Sequence, residues 1–515
     1  MGQINPTVKL YVIALDGGTQ TVELRPPGGF EEREHYITMV TWATPQQVAV
    51  RWVNREQTMS ILTLCDVTTA DCVQKHVMTS EKWLDRQNEE PVFSQDGSVF
   101  FITLPLESGG GGAFNHIAMI TDKSEDQEVS VRHLTSGGWE VSRVLAFDES
   151  TDSVYFLSTE DGYAQRQLYR VSAAGPPERS CLSCSLADAQ CTHFHARVSP
   201  RCRHVLLDCR GPGIPSTTAH QLSDMIGNIS VERNAVLKDA LRYRVVPRRE
   251  RRTVHVNLQL ALHMEISLPA ALDETTQHPL LLILNGAPGE QSVSDRFLLD
   301  WDSVLVSSDG VIVARVDGRG GGSRGQRVLH EVHRRLGTLE VQDHIAAVEY
   351  LFKLPYVDRN RVGVYGKAYG GFLSTALLLS HDSPFRCAAA ASPVTDWRLY
   401  GSFFTERYFG YPAAEEGRYQ ISSLLSNATS PNHTMFLILH ATADATVHFQ
   451  HSAELVKLMS AADLNYTLQI FPDEGHVIAS DASRRYMLNS LVSFFRKCFE
   501  EEQEVPAQPT NREED

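Results

Sequence analysis

The hexapeptide Gly366-Lys367-Ala368-Tyr369-Gly370-Gly371 constrains this chain more than any other stretch. Ahead of it runs Arg361-Val362-Gly363-Val364-Tyr365, short and β-branched. Behind it runs Phe372-Leu373-Ser374-Thr375-Ala376-Leu377-Leu378-Leu379, with helical composition. A strand, a sharp glycine-rich turn and a helix, in that order, frame a G-x-S-x-G nucleophile elbow. Glycines at such a turn permit its tight backbone and let strand and helix approach closely. The central residue of an elbow is a serine whose oxygen attacks the substrate. Here it is Ala368, and a methyl group attacks nothing. By itself the hexapeptide also fits a plain turn between any strand and helix, so the remainder of the chain has to decide.

From about Gln277 onward, strand patterns alternate with helix patterns, the signature of a mostly parallel sheet. Strands are predicted at 280–284, 311–316, 362–365, 436–439 and 466–471. Helices are predicted at roughly 340–352, 371–379, 452–459 and 484–499. Two polar sites stand at strand ends: His440-Ala441-Thr442-Ala443-Asp444 and Pro472-Asp473-Glu474-Gly475-His476. Elbow, Asp444 and His476 follow in the order nucleophile, acid, histidine of an α/β-hydrolase. In a working triad the histidine takes the nucleophile's proton and the aspartate orients the histidine. Ala368, Asp444 and His476 therefore read as a triad remnant rather than as a turn, a surface acid and a core histidine. Ser374 cannot replace the missing oxygen, because it lies roughly 9 Å further along the helix at about 1.5 Å per residue. No cofactor and no metal is expected.

The chain up to about Ser223 reads as all-β, with β-branched and aromatic runs at 9–13, 47–52, 60–64, 99–103 and 153–158. A weak repeat of roughly 50 residues underlies them, its units opening near Tyr36, Pro91, Leu145 and His195. Such spacing fits four-stranded propeller blades, about four of them; a sandwich with coincidental spacing is the alternative. Between Arg242 and Arg252 a basic stretch ends in Arg248-Arg249-Glu250-Arg251-Arg252 and reads as a solvated linker. The expected fold is mixed. A partial β-propeller covers residues 1–240, an α/β-hydrolase-like domain 241–500, and an acidic disordered tail 501–515.

The formal net charge is −16, which argues against nucleic acid as a partner. Of the 9 cysteines, eight fall into near neighbours or plausible partners: Cys65 with Cys72, Cys181 with Cys184, Cys191 with Cys209, and Cys387 with Cys498. Cys202 is left over. Cys181 and Cys184 could also form half of a zinc site, and Cys387 and Cys498 could be buried free thiols. Asn228, Asn427, Asn432 and Asn465 each open a glycosylation sequon. Cysteines and sequons together favour the secretory pathway. Yet the residues from Met1 to Asp515 hold neither a signal pattern nor an apolar run of about 18 residues.

These residues, with Asn5-Pro6-Thr7-Val8-Lys9, Asn88-Glu89-Glu90-Pro91, Asp317-Gly318-Arg319-Gly320, Arg334-Arg335-Leu336-Gly337, Thr405-Glu406-Arg407-Tyr408 and Val447-His448-Phe449-Gln450-His451, resemble the dipeptidyl peptidase IV family over nearly the whole chain. That family joins an eight-bladed propeller to a C-terminal α/β-hydrolase domain and pairs into dimers through the hydrolase domain and an edge blade. Its active members carry Gly-Trp-Ser-Tyr-Gly-Gly at the elbow. The resemblance puts their oxyanion-hole tyrosine at Asn285, one substrate-pocket tyrosine at Phe404 and the other at Tyr408. Their paired glutamates, which hold a substrate's amino terminus, belong to a propeller region with no counterpart in these 515 residues. The elbow Gly-Lys-x-Tyr-Gly-Gly is similar to that of the non-enzymatic branch, the dipeptidyl aminopeptidase-like proteins.

The resemblance to that branch implies a glycosylated, disulfide-bonded protein on the extracellular side of the plasma membrane, from a single-pass family. It also implies a homo- or heterodimer and an auxiliary, regulatory role toward voltage-gated A-type (Shal-class) potassium channels, in trafficking and gating. It further implies that Cys387 and Cys498 form a disulfide. Two other functions are compatible with the same residues: a serine-type dipeptidyl peptidase with residual activity, and an extracellular binding or dimerisation module.

Overall fold

The computed structural model describes residues 2–15, 21–30, 34–109, 112–122, 129–186, 191–225, 227, 229–256, 260–426 and 434–500. Four antiparallel four-stranded sheets fill the N-terminal part, each with its strands in sequential order. They run from His35–Thr44 to Cys72–Thr79, from Val92–Phe93 to Val129–His133, from Val141–Asp148 to Arg179–Cys181, and from Cys191–Val198 to Ile229–Glu232. Meandering four-stranded units are propeller blades. Their inner strands are buried on both faces because the sheets stack: Ser153–Ser158 is buried at every position. Successive side chains of a strand point to opposite faces. Val154 and Phe156 accordingly pack on Phe101 and Ile117 of the second sheet, while Tyr155 and Leu157 pack on Phe194 and Leu207 of the fourth.

The C-terminal part is one eight-stranded sheet flanked by helices. Its spatial order is Arg248–His255, Ala261–Leu268, Ile312–Asp317, His278–Leu284, Val357–Lys367, Cys387–Ala391, Met435–Ala441, Thr467–Phe471. The first two strands pair antiparallel; the other six run parallel. The helix Tyr369–Leu378 packs on the sheet through Phe372, Leu373 and Leu377, and the helix Asp481–Cys498 covers the opposite face through Leu491 and Phe495. This is an α/β-hydrolase sheet, and the fold is mixed as expected.

The basic stretch is not a solvated linker. Arg248–His255 is the sheet's edge strand, and its arginines meet acids by the two-residue alternation of a strand. Arg249 and Arg251 approach Glu265 on the neighbouring strand at 3.9 and 3.8 Å, and Arg251 also pairs with Asp295. On the other face Arg252 lies 3.0 Å from Glu250. Charged side chains on an edge strand also discourage pairing with another chain.

Four disulfides join Cys65 to Cys72, Cys181 to Cys184, Cys191 to Cys209, and Cys387 to Cys498. Cys202 is free and half-buried. Asn465 is exposed just before the strand Thr467–Phe471. The sequon asparagines Asn228, Asn427 and Asn432 and the tail 501–515 lie outside the described residues. Among the described residues no helix is long and apolar enough to cross a membrane. The two parts meet through buried polar contacts. Arg55 of the first sheet grips Glu406 with Nε and Nη2 at 2.7 and 2.8 Å, and Glu140 accepts the Gly325 N–H at 3.1 Å.

Candidate active site

The elbow is built at the end of the strand Val357–Lys367 and the start of the helix Tyr369–Leu378. Ala368 joins them with φ 52° and ψ −109°. A residue with a Cβ adopts such angles only under constraint from its surroundings. Glycines supply that constraint by close packing. A Cβ on Gly366 would lie 2.0 Å from the Gly370 carbonyl oxygen, and one on Gly370 would lie 2.3 Å from the Leu284 carbonyl oxygen. The strained turn that presents a nucleophile is thus kept, without the nucleophile.

The Ala368 N–H donates to the Ala391 carbonyl at 2.9 Å, which ties the elbow to the next strand, Cys387–Ala391. Ser392 follows, its N–H donating to the Leu439 carbonyl at 2.7 Å, and its side chain is close enough to Asp444 to help keep that carboxyl low. Asp444 is fully buried, with Oδ1 accepting the N–H groups of Thr446 and Val447 at 2.9 and 2.8 Å. Its Oδ2 lies 2.7 Å from Nδ1 of half-buried His476. Burial pushes the Asp444 carboxyl up, but the Val447 N–H and His476 hold it below its ordinary value. Asp444 is therefore an anion that fixes the His476 proton on Nδ1 and leaves Nε2 as the acceptor. Ala368, Asp444 and His476 stand at one end of the parallel sheet, joined through Ala391 and Ser392.

The sequence gives no sign of two supports, one of the dyad and one of the elbow. His440 Nε2 sits 2.8 Å from the Val447 carbonyl and 3.8 Å from Asp444 Oδ2, while its Nδ1 sits 2.7 Å from the Ser452 hydroxyl. A carbonyl only accepts, so Nε2 carries the proton and Nδ1 accepts from Ser452. Burial pushes the His440 imidazole down, so it stays neutral beside Asp444. The second support lies under the elbow. The Tyr369 hydroxyl donates to fully buried Glu340 at 2.6 Å, and the Gly337 N–H donates to the same carboxyl at 3.0 Å. Burial pushes Glu340 up to about 7.

Phe404 stacks on Trp397 at 5.6 Å and meets Tyr408 edge-on at 4.8 Å, in an aromatic cluster that includes Tyr369. Asn285 and Lys367 line a cavity of about 410 Å³ together with Arg249, Glu265, Asp302 and Arg315. Burial pulls the Lys367 ammonium down, against Asp444, which pushes it up. Ser374 is buried, and its hydroxyl donates to the Gly371 and Ala389 carbonyls at 3.1 and 3.3 Å, away from the dyad's chemistry. Cys181 and Cys184 are bonded to each other, which closes the half-zinc reading. The arrangement can orient a histidine base, and the elbow residue, Ala368, offers it neither a hydroxyl nor a thiol.

Residues 1–216 match the dipeptidyl peptidase IV (DPP IV) N-terminal region, and residues 297–502 match the prolyl oligopeptidase family. The chain is 48% identical over 514 residues to "Inactive dipeptidyl peptidase 10" of Mus musculus, covering 100% of this chain and 64% of that protein. It is 31% identical over 516 residues to dipeptidyl peptidase 4 of Sus scrofa, covering 97% of this chain and 66% of that protein. Among solved structures it is similar to the crystal structure of Porphyromonas gingivalis dipeptidyl peptidase 4. There the TM-score is 0.82 and the identity 25%, over 93% of this chain and 65% of that one. The chain thus spans somewhat under two thirds of the length of these relatives.

Proposed function

This chain belongs to the dipeptidyl peptidase IV family, and within it we propose that it is a catalytically silent member serving as an auxiliary subunit of voltage-gated A-type potassium channels. The observation that carries the silent reading is Ala368 at a complete elbow, at the same end of the parallel sheet as the Asp444–His476 pair. Covalent acyl transfer starts with an activated oxygen or sulfur, and none stands at this position. The name of the mouse relative supports the same reading. The channel role rests on the resemblance of Gly366 to Gly371 to the elbow of the non-enzymatic branch. In that role the protein sits on the extracellular side of the plasma membrane, glycosylated and dimeric through its hydrolase domain. The four disulfides support an oxidising compartment.

The test is co-expression with Shal-class channel subunits. Co-purification together with a change in surface expression or in inactivation rate supports the proposal. Co-purification without any change in current favours a binding module. The retained dyad favours one rival, a residual hydrolase, which a dipeptide–chromogen assay of the same preparation detects.

A further inference from the structure

We propose that the cavity between the first two sheets and the hydrolase part is an anion site, in which Arg51 takes the carboxylate or phosphate head of a small aromatic molecule. The cavity encloses about 400 Å³, within the range of small-ligand pockets and too small for a folded partner. Arg51 stands in the inner strand Gln47–Asn54 and is 4% exposed. Its one side-chain hydrogen bond is a long one, from Nη1 to Gln87 Oε1 at 3.4 Å, and its Nε has no partner. Among the described residues no carboxylate forms an ion pair with it. Arginine is always charged in proteins, and a buried charge is stable only when paired and hydrogen-bonded.

The neighbouring groups sharpen the assignment. Glu89 attracts Arg51 electrostatically from beyond ion-pair distance, and one of its oxygens accepts the Thr103 hydroxyl. Arg86 on the same wall is already held by Glu140 at 3.0 Å. The wall's one carboxylate, Asp85, lies 3.9 Å from Arg86. His330 also lines the cavity, and its Nε2 is buried without a partner. His330 and His76 are held neutral, each pushed down to about 4 chiefly by burial. The cavity therefore presents one guanidinium without an ion pair, an amide donor on buried Asn115, the Nε2 of neutral His330, and an apolar side made by Trp83, Leu84 and Met78. A planar fork of N–H donors matches a carboxylate or phosphate in two-point fashion, and the indole wall suits a ring attached to that head.

Benzoate and phenyl phosphate share a ring and differ in the head, so together they probe the site. Each is titrated into the purified 515-residue chain at pH 7 and low salt, by calorimetry and by thermal shift. Saturable one-to-one binding at ~1 mM or tighter is expected for at least one of them, and the preferred probe identifies the head. Arg51→Met should weaken that binding at least tenfold and abolish the thermal shift. Asn115→Leu, which narrows the cavity and leaves Arg51 in place, should weaken it as well, and it decides the matter if Arg51→Met does not fold. The proposal is overturned if neither probe binds below ~10 mM, or if the variant that folds binds as tightly as the unaltered chain.

Discussion

Asp444 Oδ2 lies 2.7 Å from His476 Nδ1, an acid–histidine pair assembled at the same end of the sheet as the elbow that carries Ala368. The carboxylate is buried, held by two backbone N–H groups and kept anionic. Each of these contacts also braces the fold: Thr446 and Val447 belong to the loop after the strand Met435–Ala441, and Ser392 ends the neighbouring strand. The dyad therefore has a structural role that does not depend on a hydroxyl at the elbow. A catalytic pair and a structural brace would use the same hydrogen bonds here.

Restoring the hydroxyl should not restore the enzyme. Ala368→Ser returns an oxygen to the elbow near His476, but Asn285 still stands where the family resemblance puts the oxyanion donor. Loss of one such donor costs ~10²–10³ in rate. The family resemblance places the anchor for a substrate's amino group outside these 515 residues, and orientation lowers a barrier by up to roughly 7–11 kcal/mol. The expected outcome on a Gly-Pro chromogenic substrate is turnover at the level of the unaltered chain. A rate near ~10 s⁻¹ would show that the hydroxyl alone was missing.

Ala368→Gly should stabilise the protein. At φ 52° and ψ −109° alanine carries strain of ~1–3 kcal/mol that glycine does not. The extra freedom of glycine in the unfolded chain takes back about 0.4–1 kcal/mol. A net gain of about 1 kcal/mol is expected, read as a higher urea midpoint with an unchanged slope. A lower midpoint would mean that the alanine is not strained in solution.

The sequence carried the hydrolase half well because its signals are local. The elbow, Asp444 and His476 each sit where a strand pattern stops, and chain order does the rest. Elements whose identity is tertiary were illegible. Cys387–Ala391 is nearly all alanine, a weak strand former, and is a strand because it lies between Val357–Lys367 and Met435–Ala441. Arg248–His255 looks like a linker until Glu265 and Asp295 are brought beside it. Glu340 reads as one more polar position on a helix, and nothing local reveals that Tyr369 covers it. The unpaired Arg51 is hidden for the same reason: a lone arginine in a strand pattern gives no sign of which acids lie within reach.

The Cys387–Cys498 bond should carry a large share of the hydrolase part's stability. It spans 111 residues and ties the sheet's sixth strand, Cys387–Ala391, to the last helix. Closing a loop of that length in the unfolded chain is worth roughly 4–5 kcal/mol in the chain-entropy account. Cys498→Ala should lower stability by about that amount, measured by urea unfolding without reductant. A loss below ~1 kcal/mol would mean that the unfolded chain is already compact there.

Burial holds the Glu340 carboxyl at about 7, against an ordinary value of 4.5. Its folded-state pKa is therefore raised, so between these values the folded protein keeps a proton that the unfolded chain releases. By linkage, stability falls as pH rises through that window, by up to ~3 kcal/mol, and stays at the lower level above pH 7. Asp444 behaves oppositely: its folded value is depressed, so its contribution is present above the ordinary carboxylate range and is lost in more acidic solution, outside this window. Glu340→Gln removes the titration while leaving an oxygen to accept from the Tyr369 hydroxyl. The quantity to measure is the difference in unfolding free energy between the unaltered chain and Glu340→Gln at pH 5, 6, 7 and 8. Histidines and surface carboxylates cancel in that difference. It should move against the unaltered chain by a few kcal/mol from pH 5 to 7 and then level off. A difference that is flat from pH 5 to 8 would show that Glu340 is already ionised at pH 5, with Tyr369 and Gly337 together offsetting its burial.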